Sequence, residues 1–569
     1  MQQKELTGYP SIDKPWLRYY SKDAIVTDIP KCTVYQNIYG RNRSYTNDIA
    51  LMYFGKKISY GRLFAEVGKA EKAFVAHGVK GGDNVALCVP ATPEAVYAIL
   101  ALNKIGANAN MLNPTFTPQQ LTDRINDTNA KILIVANELY SRLESVLPHT
   151  GIRIVVSFPA ANSLGIFVKL FKKAKNIPNT IPWDEFIARG KSAPTSSEIH
   201  YHKGTPAIIV YSSGTTGASK GIQLTNDGIN ATITEYQTAG FKIKRQDRYF
   251  AQIPIWFSTG ISVTILVPLC LGITVILEPL YDFEIFYRHI KKYKPNFMIT
   301  ASGLLEYLVS KHEISPAYAS FKYLAIGGEY VTANTEKKFN HWLEKNGNIE
   351  RLHKGYGMCE CGGTVTSTTS TSNVIGLSGI PTPHVVVGAF DLKTGCELKY
   401  GERGELRVLS PCKMLGYYKN PEATKNIFHK DSAGNVWVCT GDMGYVTEDG
   451  NVGVLGRIND SYINVQNETI YLFDIERAIL DVEVVRQCKV VVSEIDGKQT
   501  HIAHIVFFQD NRTAEEIFDQ IKEICYKKLP LSHFPRLIKL HDDALPVAPS
   551  GKLNIIEMQE DILNLIKLM

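Results

Sequence analysis

The eleven residues 211–221, Tyr-Ser-Ser-Gly-Thr-Thr-Gly-Ala-Ser-Lys-Gly, constrain the fold more than any other stretch of this chain. They follow an apolar run, residues 207–210, which predicts a buried strand and places the segment in a loop leaving a sheet. Glycine allows backbone conformations in which successive N–H groups converge on an anion, while Ser, Thr and Lys220 add donors and positive charge. The spacing differs from the common G-x-x-x-x-G-K-[ST] motif. The segment therefore predicts a polyphosphate-binding loop, with a plain Ser/Gly-rich surface turn as the alternative.

Length and composition bound the class of protein. A chain of 569 residues predicts two to four domains. Apolar content of 44% and charged content of 21% are typical of a soluble globular protein, and a net charge of +6 gives no reason to expect nucleic acid as a partner. The ten cysteines lack the spacing of a disulfide framework or a zinc site. Together with a polar N-terminus that lacks a signal-peptide core, they predict reduced thiols and a cytoplasmic location.

Two segments raise the question of membrane contact. Residues 253–277 carry no formal charge and could span a bilayer, but interrupting prolines and glycines favour buried strand and helix pieces. Residues 167–175 have a basic amphipathic pattern. That pattern leaves two interpretations open, a solvated surface helix or peripheral contact with an anionic membrane, at the inner face of the cell membrane.

The pattern along the chain predicts the layers of the fold. Leu63, Val67, Ala70 and Phe74 recur at helical spacing, residues 93–104 read as a second helix, and apolar strand candidates lie at 85–89, 131–135 and 152–156. Such alternation predicts parallel sheets flanked by helices. Short strands with glycine-rich turns around 385–455 predict a smaller antiparallel lobe.

Further motifs follow the loop in a fixed order. They are Lys354-Gly355-Tyr356-Gly357-Met358-Cys359-Glu360, Thr440-Gly441-Asp442, Gly456-Arg457 and Gly551-Lys552. Over roughly residues 40 to 560 this order resembles the adenylate-forming superfamily, which comprises acyl-CoA synthetases, luciferases and adenylation domains, and the likeness is of the acyl-CoA ligase type.

The resemblance implies an α/β fold with two domains. Residues 1–457 would form a large N-terminal domain of parallel-sheet αβ lobes plus a small β-rich lobe. A hinge at Asn459 would join it to a small α+β C-terminal domain, residues 458–569, which carries the catalytic lysine. The implied co-substrates are ATP with Mg²⁺, coenzyme A and a small-molecule carboxylic acid.

The resemblance also implies residue roles. Catalysis falls to Lys552, Glu360 and Thr215, with Glu360 as the Mg²⁺ ligand, Tyr356 stacking on adenine and Asp442 accepting from ribose. The full set implied for the nucleotide is Ser212, Ser213, Gly214, Thr216, Gly217, Lys220, Gly328, Glu329, Tyr356, Gly357, Cys359, Asp442 and Arg457.

Four positions depart from the family pattern. Cys359 replaces a threonine, Asn459 an aspartate and Asn467 a glycine, while Lys354 stands where an amide or acid usually accepts from the adenine amino group. Ammonium cannot accept a hydrogen bond, so the contact at Lys354 must be lost or rearranged.

The choice of acid depends on Trp256, Phe257, Ser258 and Gly327, the predicted substrate pocket. None is anionic, so an α-amino acid would bring an unpaired ammonium into the pocket. A hydrophobic acid is favoured, with a medium- or long-chain fatty acid first and aryl acids second. Two alternatives stay open: a stand-alone adenylation enzyme that loads a carrier protein, and a non-catalytic nucleotide- or acyl-binding homologue.

Overall fold

The computed structural model describes residues 6–164, 177–195, 200–212, 219–464, 468–495, 497–508, 512–547 and 553–568. Within them the chain forms two large mixed sheets, a five-stranded antiparallel sheet, a two-stranded ribbon and a four-stranded C-terminal sheet. The predicted α/β class, with a large N-terminal and a small C-terminal part, is confirmed.

Seven strands form the first large sheet. Six of them run parallel and the last pair is antiparallel. In spatial order they are Ile181–Pro182, Ile154–Phe158, Ile132–Ala136, Asn84–Cys88, Asn108–Met111, Pro206–Tyr211 and Gly221–Thr225. The interior strand Ile132–Ala136 is buried throughout, as expected for a parallel strand covered on both faces.

Nine strands form the second large sheet. Its centre is parallel and both edges end in antiparallel pairs. In spatial order they are Ile380–Pro381, Thr366–Ser367, His353–Tyr356, Tyr323–Gly327, Phe297–Thr300, Arg248–Ala251, Thr274–Leu277, Ile49–Tyr53 and Lys56–Ser59.

Helices fill the space between the two sheets and cover their outer faces. The main core contains apolar residues of both sheets and of four helices packed between them, Val34–Asn42, Tyr60–Ala76, Pro93–Ile105 and Asn226–Thr238. The nine-stranded sheet is covered by Phe283–Tyr293, Ser302–Ser310 and Ala333–Lys345. Helix Pro118–Asp127 covers the seven-stranded sheet. The other described α-helices are Pro10–Asp13, Lys22–Val26, Trp183–Arg189, Val267–Cys270, Pro421–Ile427, Leu472–Leu480, Ala514–Lys528 and Ile555–Glu560.

Local sequence signals fix the helix ends. Thr117 and Gln120 form a reciprocal capping box at the start of Pro118–Asp127. The predicted helix at 93–104 is observed as Pro93–Ile105; Thr92 caps its first turn, and Gly106, at φ 77°, ends it in the left-handed conformation.

The uncharged segment at 253–277 is folded inside the N-terminal part, as predicted. It contributes the π-helical turn Thr259–Leu266, the short helix Val267–Cys270 and the buried strand Thr274–Leu277. Among the described residues, no helix has both the length and the apolar character needed to cross a bilayer. The amphipathic pattern at 167–175 lies outside the described residues.

The predicted antiparallel lobe is confirmed. Its strands are Val386–Phe390, Gly404–Leu409, Phe428–Lys430, Val436–Val446 and Val452–Arg457. They enclose a separate small core around Leu406, Val408 and Val438.

The chain beyond Arg457 forms a third unit of structure. The ribbon Ser461–Ile463 and Thr469–Tyr471 precedes a sheet whose strands are Val485–Ile495, Lys498–Phe507, Leu537–His541 and Ile566–Lys567. Helices Leu472–Leu480 and Ala514–Lys528 pack on it around their own core.

Candidate active site

The polyphosphate loop predicted from the sequence connects the two antiparallel strands Pro206–Tyr211 and Gly221–Thr225. Tyr211 and Gly221 pair across it, the Ser212 amide donates to the Lys220 carbonyl at 3.0 Å, and the Lys220 amide donates to Ser212 Oγ at 3.1 Å. A Cβ on Gly221 would lie 3.2 Å from the Tyr211 ring, so a larger residue would crowd the loop base. The tip, which includes Ser213, Gly214, Thr215, Thr216 and Gly217, lies outside the described residues.

The loop base opens on a cavity of about 930 Å³. That is within the range of small-molecule sites, which span about 300–1,000 Å³. Of the residues predicted from the sequence, the cavity is lined by Ser212, Lys220, Phe257, Gly327, Gly328, Tyr356, Gly357, Cys359, Glu360 and Arg457. Five loops and strand ends that are far apart in sequence therefore meet at one cavity.

Tyr356 and Arg457 line this cavity, and both bond to Asp442, which is buried behind them and does not itself line the cavity. Asp442 and Arg457 are directly opposite each other on antiparallel strands, and Arg457 Nε lies 3.1 Å from Asp442 Oδ1. The Tyr356 hydroxyl donates to Asp442 Oδ2 at 2.5 Å. Burial raises the pKa of Asp442, and the Arg457 guanidinium opposes that rise. In this state both oxygens of the carboxylate are occupied by protein donors.

Glu360 lies in a tight turn that glycine makes possible. Gly362 and Gly363 have φ values of 72° and 100°, and a Cβ on Gly357 would lie 2.2 Å from the Gly363 carbonyl oxygen. The Tyr417 hydroxyl donates to Glu360 Oε1 at 2.8 Å. Among the described residues no donor reaches the other carboxylate oxygen.

A carboxylate with one free oxygen beside a phosphate loop fits Mg²⁺. This hard cation takes oxygen ligands and is usually held by one or two carboxylates plus substrate phosphates. Glu360 lines the same cavity as Ser212 and Lys220, and Lys220 Nζ lies 5.0 Å from the centre of the Tyr417 ring. Tyr417 therefore contacts both the Glu360 carboxylate, through its hydroxyl, and the Lys220 ammonium, through its ring.

The wall on the other side of the cavity is largely apolar and aromatic. Its residues are Tyr236, Ile253, Phe257, Ile299, Tyr323, Ala325 and Ile326, with Thr259, Thr364 and Thr366 as its hydroxyl-bearing members. Phe241 packs against both Tyr236 and Tyr323, with ring centroids 5.6 and 4.5 Å away.

Two residues predicted for the acyl pocket lie elsewhere. Ser258 is fully buried, and its Oγ has no hydrogen-bond partner in the part of the chain that the structure describes. Trp256 packs against the main core. Ser258 is the N-cap of the π-helical turn Thr259–Leu266 and already has helical backbone angles, whereas Trp256 lies in the turn before it. Of the three residues, Phe257 lines the cavity and its two neighbours do not.

Of the three residues predicted to contact substrates at the turn after strand Tyr323–Gly327, two line the cavity and one does not. Gly327 and Gly328 line the cavity, and Gly328 has a φ of 82°, which favours glycine. Glu329 does not line it; instead its carboxylate accepts from the Ser302 amide at the start of helix Ser302–Ser310. A carboxylate at a helix N-terminus is a stabilising arrangement.

Lys354 is turned away from the cavity. Its side chain, only 5% exposed, pairs with Glu336 and also donates to Asn373 Oδ1 and the Val374 carbonyl, each at 3.1 Å. The contact expected to be lost or rearranged at this position is replaced by a buried ion pair.

Lys552, the predicted catalytic lysine, and Asn467, one of the departures from the family pattern, lie outside the described residues. The segment that carries Lys552 is closed by Val547 and Leu553, which pair as an antiparallel bridge, and by the Asn554 amide, which donates to the Pro546 carbonyl at 2.9 Å.

Sequence reasoning missed residues that tertiary contacts bring to the site. Tyr417 reaches it because its segment pairs with the strand Gly221–Thr225, where the Tyr418 amide donates to the Gly221 carbonyl at 2.6 Å. Arg124 and Lys419 line the same cavity as Ser212 and Lys220, and Lys419 Nζ donates to the Asp127 carbonyl at 2.6 Å. The run Tyr417-Tyr418-Lys419 is a weak signal, and Arg124 has none in the sequence.

Comparison with known proteins decides the family. The profile of the AMP-binding enzyme family matches residues 40–418. This chain is a member of the AMP-binding enzyme family. The expectation of an adenylate-forming enzyme of the acyl-CoA synthetase type, with ATP, Mg²⁺ and CoA as co-substrates, is confirmed.

Sequence relatives extend over most of the chain. A long-chain-fatty-acid–CoA ligase of Haemophilus influenzae is 26% identical over 90% of this chain and 91% of its own. An acetyl-coenzyme A synthetase of Helicobacter pylori is 25% identical over 86% of this chain and 77% of its own.

A solved structure supports the fold. ATP-bound MatB from Rhodopseudomonas palustris superposes with a TM-score of 0.78 at 22% identity, covering 93% of this chain and 98% of that one.

Proposed function

We propose that this AMP-binding enzyme activates a hydrophobic carboxylic acid, a medium- or long-chain fatty acid, and transfers its acyl group to CoA. The apolar wall formed by Ile253, Phe257, Ile299 and Ala325 is the observation that carries this choice of acid. The relative from Haemophilus influenzae, named a long-chain-fatty-acid–CoA ligase, supports it.

An amino acid is a poor fit to the same wall. The described carboxylates that line the cavity, Asp127 and Glu360, belong to its phosphate side, where Arg124, Lys220 and Lys419 also lie. An α-ammonium group among the apolar side chains would have no anionic partner there, and burying an unpaired charge is costly.

In the first half-reaction a carboxylate oxygen of the acid attacks the α-phosphorus of ATP. The bond to the bridging oxygen of pyrophosphate breaks, which leaves acyl-adenylate and pyrophosphate. We assign to Lys552 the stabilisation of the charge that develops between the two reactants. Glu360 would hold Mg²⁺, which neutralises phosphate charge, and Tyr417 orients that carboxylate.

The nucleotide end is assigned to the group of Tyr356, Asp442 and Arg457. The Asp442 carboxylate can accept from both ribose hydroxyls, and Tyr356 offers a ring to the base. The loop base at Ser212 and Lys220 faces the phosphates.

In the second half-reaction the CoA thiolate attacks the acyl carbon and AMP leaves as a stable anion. We propose that the chain divides at residue 457 and turns about Asn459 between the two steps. Arg457 is tied to Asp442 on one side, Asp460 pairs with Lys489 on the other, and Asn459 is exposed between them.

The release of AMP and pyrophosphate with Mg-ATP tests the proposal. A panel of hydrophobic acids is assayed with and without CoA. Catalytic AMP formation that needs both a hydrophobic acid and CoA is the expected result. Stoichiometric pyrophosphate without CoA-dependent turnover would instead indicate transfer to a carrier protein. Absence of both products across the panel would favour a non-catalytic homologue.

A further inference from the structure

Two hydroxyl groups face each other in the aromatic part of the cavity. Tyr236, on helix Asn226–Thr238, and Thr364, four residues after Glu360, both line the cavity, and their side-chain oxygens are 3.1 Å apart. Tyr236 packs on Phe241, which also packs on Tyr323. The pair therefore belongs to the aromatic wall of the cavity, which the proposed function assigns to the acyl group.

The pair holds one more proton than its own hydrogen bond uses. Each hydroxyl can donate once, and the contact between them engages one of the two protons, whichever group donates. Neither oxygen makes another hydrogen bond to a described residue. Burial raises the pKa of the Tyr236 phenol, so both groups remain donors.

A neighbouring pair in the same wall has no such surplus. The Tyr323 hydroxyl lies 2.9 Å from Ser367 Oγ, and Ser367 Oγ in turn donates to the Thr368 carbonyl at 3.1 Å. Because this relay ends on an acceptor, both of its protons are engaged within the protein. Tyr236 and Thr364 have no equivalent carbonyl within the described part of the chain, so we take their acceptor to come from what fills the cavity.

From this contrast we infer that the acid carries an oxygen-bearing group on its hydrocarbon part. A hydroxyl, keto or ether oxygen would accept the unengaged proton of Tyr236 or Thr364, while the surrounding apolar wall contacts the rest of the acid. The pair would then determine specificity for oxygenated over plain hydrophobic acids. This inference rests on the proposed function and narrows it.

Matched acids test the inference. CoA-dependent AMP formation is measured for octanoate against ω-hydroxyoctanoate and its mid-chain hydroxy and keto isomers. Phenylpropanoate is compared with its para-hydroxy and para-methoxy derivatives. We expect at least one oxygenated acid to exceed its plain partner in kcat/KM by about tenfold or more, because an unmatched buried donor penalises the plain acid.

Variants then assign the preference to the pair. Either single variant would still leave one hydroxyl proton without an acceptor, so the double variant Tyr236→Phe/Thr364→Val is needed. It should bring the ratio of kcat/KM for the oxygenated acid to kcat/KM for the plain acid close to one. Tyr323→Phe removes a phenol of the same wall whose proton is already engaged, and it should retain the preference. Thermal unfolding and ATP binding verify that each variant is folded.

The outcomes separate the two proposals. A wild-type enzyme that turns over the plain acids as well as every oxygenated partner overturns this inference and leaves the proposed function intact. A preference that survives in the double variant also overturns it. A wild-type protein inactive on every acid overturns the proposed function and this inference with it.

Discussion

Replacing Lys354 by methionine removes one half of a buried ion pair. The Lys354 side chain is 5% exposed and that of Glu336 is 0% exposed. The ammonium joins three segments, since it also donates to Asn373 Oδ1 and the Val374 carbonyl, while the second Glu336 oxygen accepts from the Gly376 amide at 3.0 Å. Burial lowers the pKa of Lys354, and the Glu336 carboxylate opposes that change.

The size of the effect follows from what each variant leaves behind. Removing one partner of a buried ion pair costs about 3–5 kcal/mol, whereas replacing both with apolar residues is often close to neutral. Lys354→Met leaves the Glu336 carboxylate and two carbonyl oxygens without their donor, so we expect the free energy of unfolding to fall by an amount near the upper end of that range. Glu336→Gln leaves an ammonium that can lose its proton, so a loss near 3 kcal/mol is expected.

Urea unfolding, followed by tryptophan fluorescence, measures the free energy of unfolding of the wild type, the two single variants and the double variant, which together form a double-mutant cycle. Trp342 lies on helix Ala333–Lys345 with Glu336, so its emission reports on the region that the pair stabilises. The double variant Lys354→Met/Glu336→Met should be within about 2 kcal/mol of the wild type. Single variants that lose less than about 1 kcal/mol, or a double variant that loses the sum of the two, would refute the reasoning.

Asp442, Lys552 and two buried histidines give three further predictions. Asp442→Asn should raise KM for ATP at least about tenfold and leave KM for the acid unchanged, because a hydrogen bond to a charged group contributes about 1.5–3 kcal/mol; equal rises in both constants would contradict this. Lys552→Ala should slow adenylate formation by a factor on the order of 10³ while calorimetry still detects ATP binding; unchanged pyrophosphate exchange would exclude the assigned role. Burial lowers the pKa of His353 and His504 to about 4. Below about pH 6.5 the unfolded chain therefore binds more protons than the folded one, and stability should fall as the pH drops towards 4 and level off below that. A urea midpoint that stays constant between pH 7 and 4.5 would contradict this.

Patterns that lie within one stretch of sequence were predictable. The strand before the loop, the helix at Pro93–Ile105 and the antiparallel lobe follow from local periodicity and turn residues. Asp442, in the Thr440-Gly441-Asp442 motif, and Arg457, in the Gly456-Arg457 motif, are 15 residues apart in the sequence. Antiparallel pairing of their strands places these two residues opposite each other.

Side-chain direction and distant pairing were not predictable. Ser258 and Trp256 do not line the cavity, because the chain turns at Trp256 and becomes helical at Ser258. Lys354 finds Glu336, 18 residues earlier, through the packing of a helix on a sheet, and no local pattern encodes that pairing. Tyr236 and Thr364 are 128 residues apart, so the surplus proton between them can be found only from the folded arrangement.

Asp442 meets an incoming nucleotide with its carboxylate already engaged by Tyr356 and Arg457. Each carboxylate oxygen has a second lone pair, so a ribose hydroxyl can donate to it while both protein donors stay in place. Tyr356 and Arg457 hold the carboxylate in one orientation before any nucleotide arrives, so little side-chain entropy is lost there when the ribose binds. The ribose end of the site is therefore preorganised, and loosening either donor should weaken nucleotide binding even though neither donor is displaced.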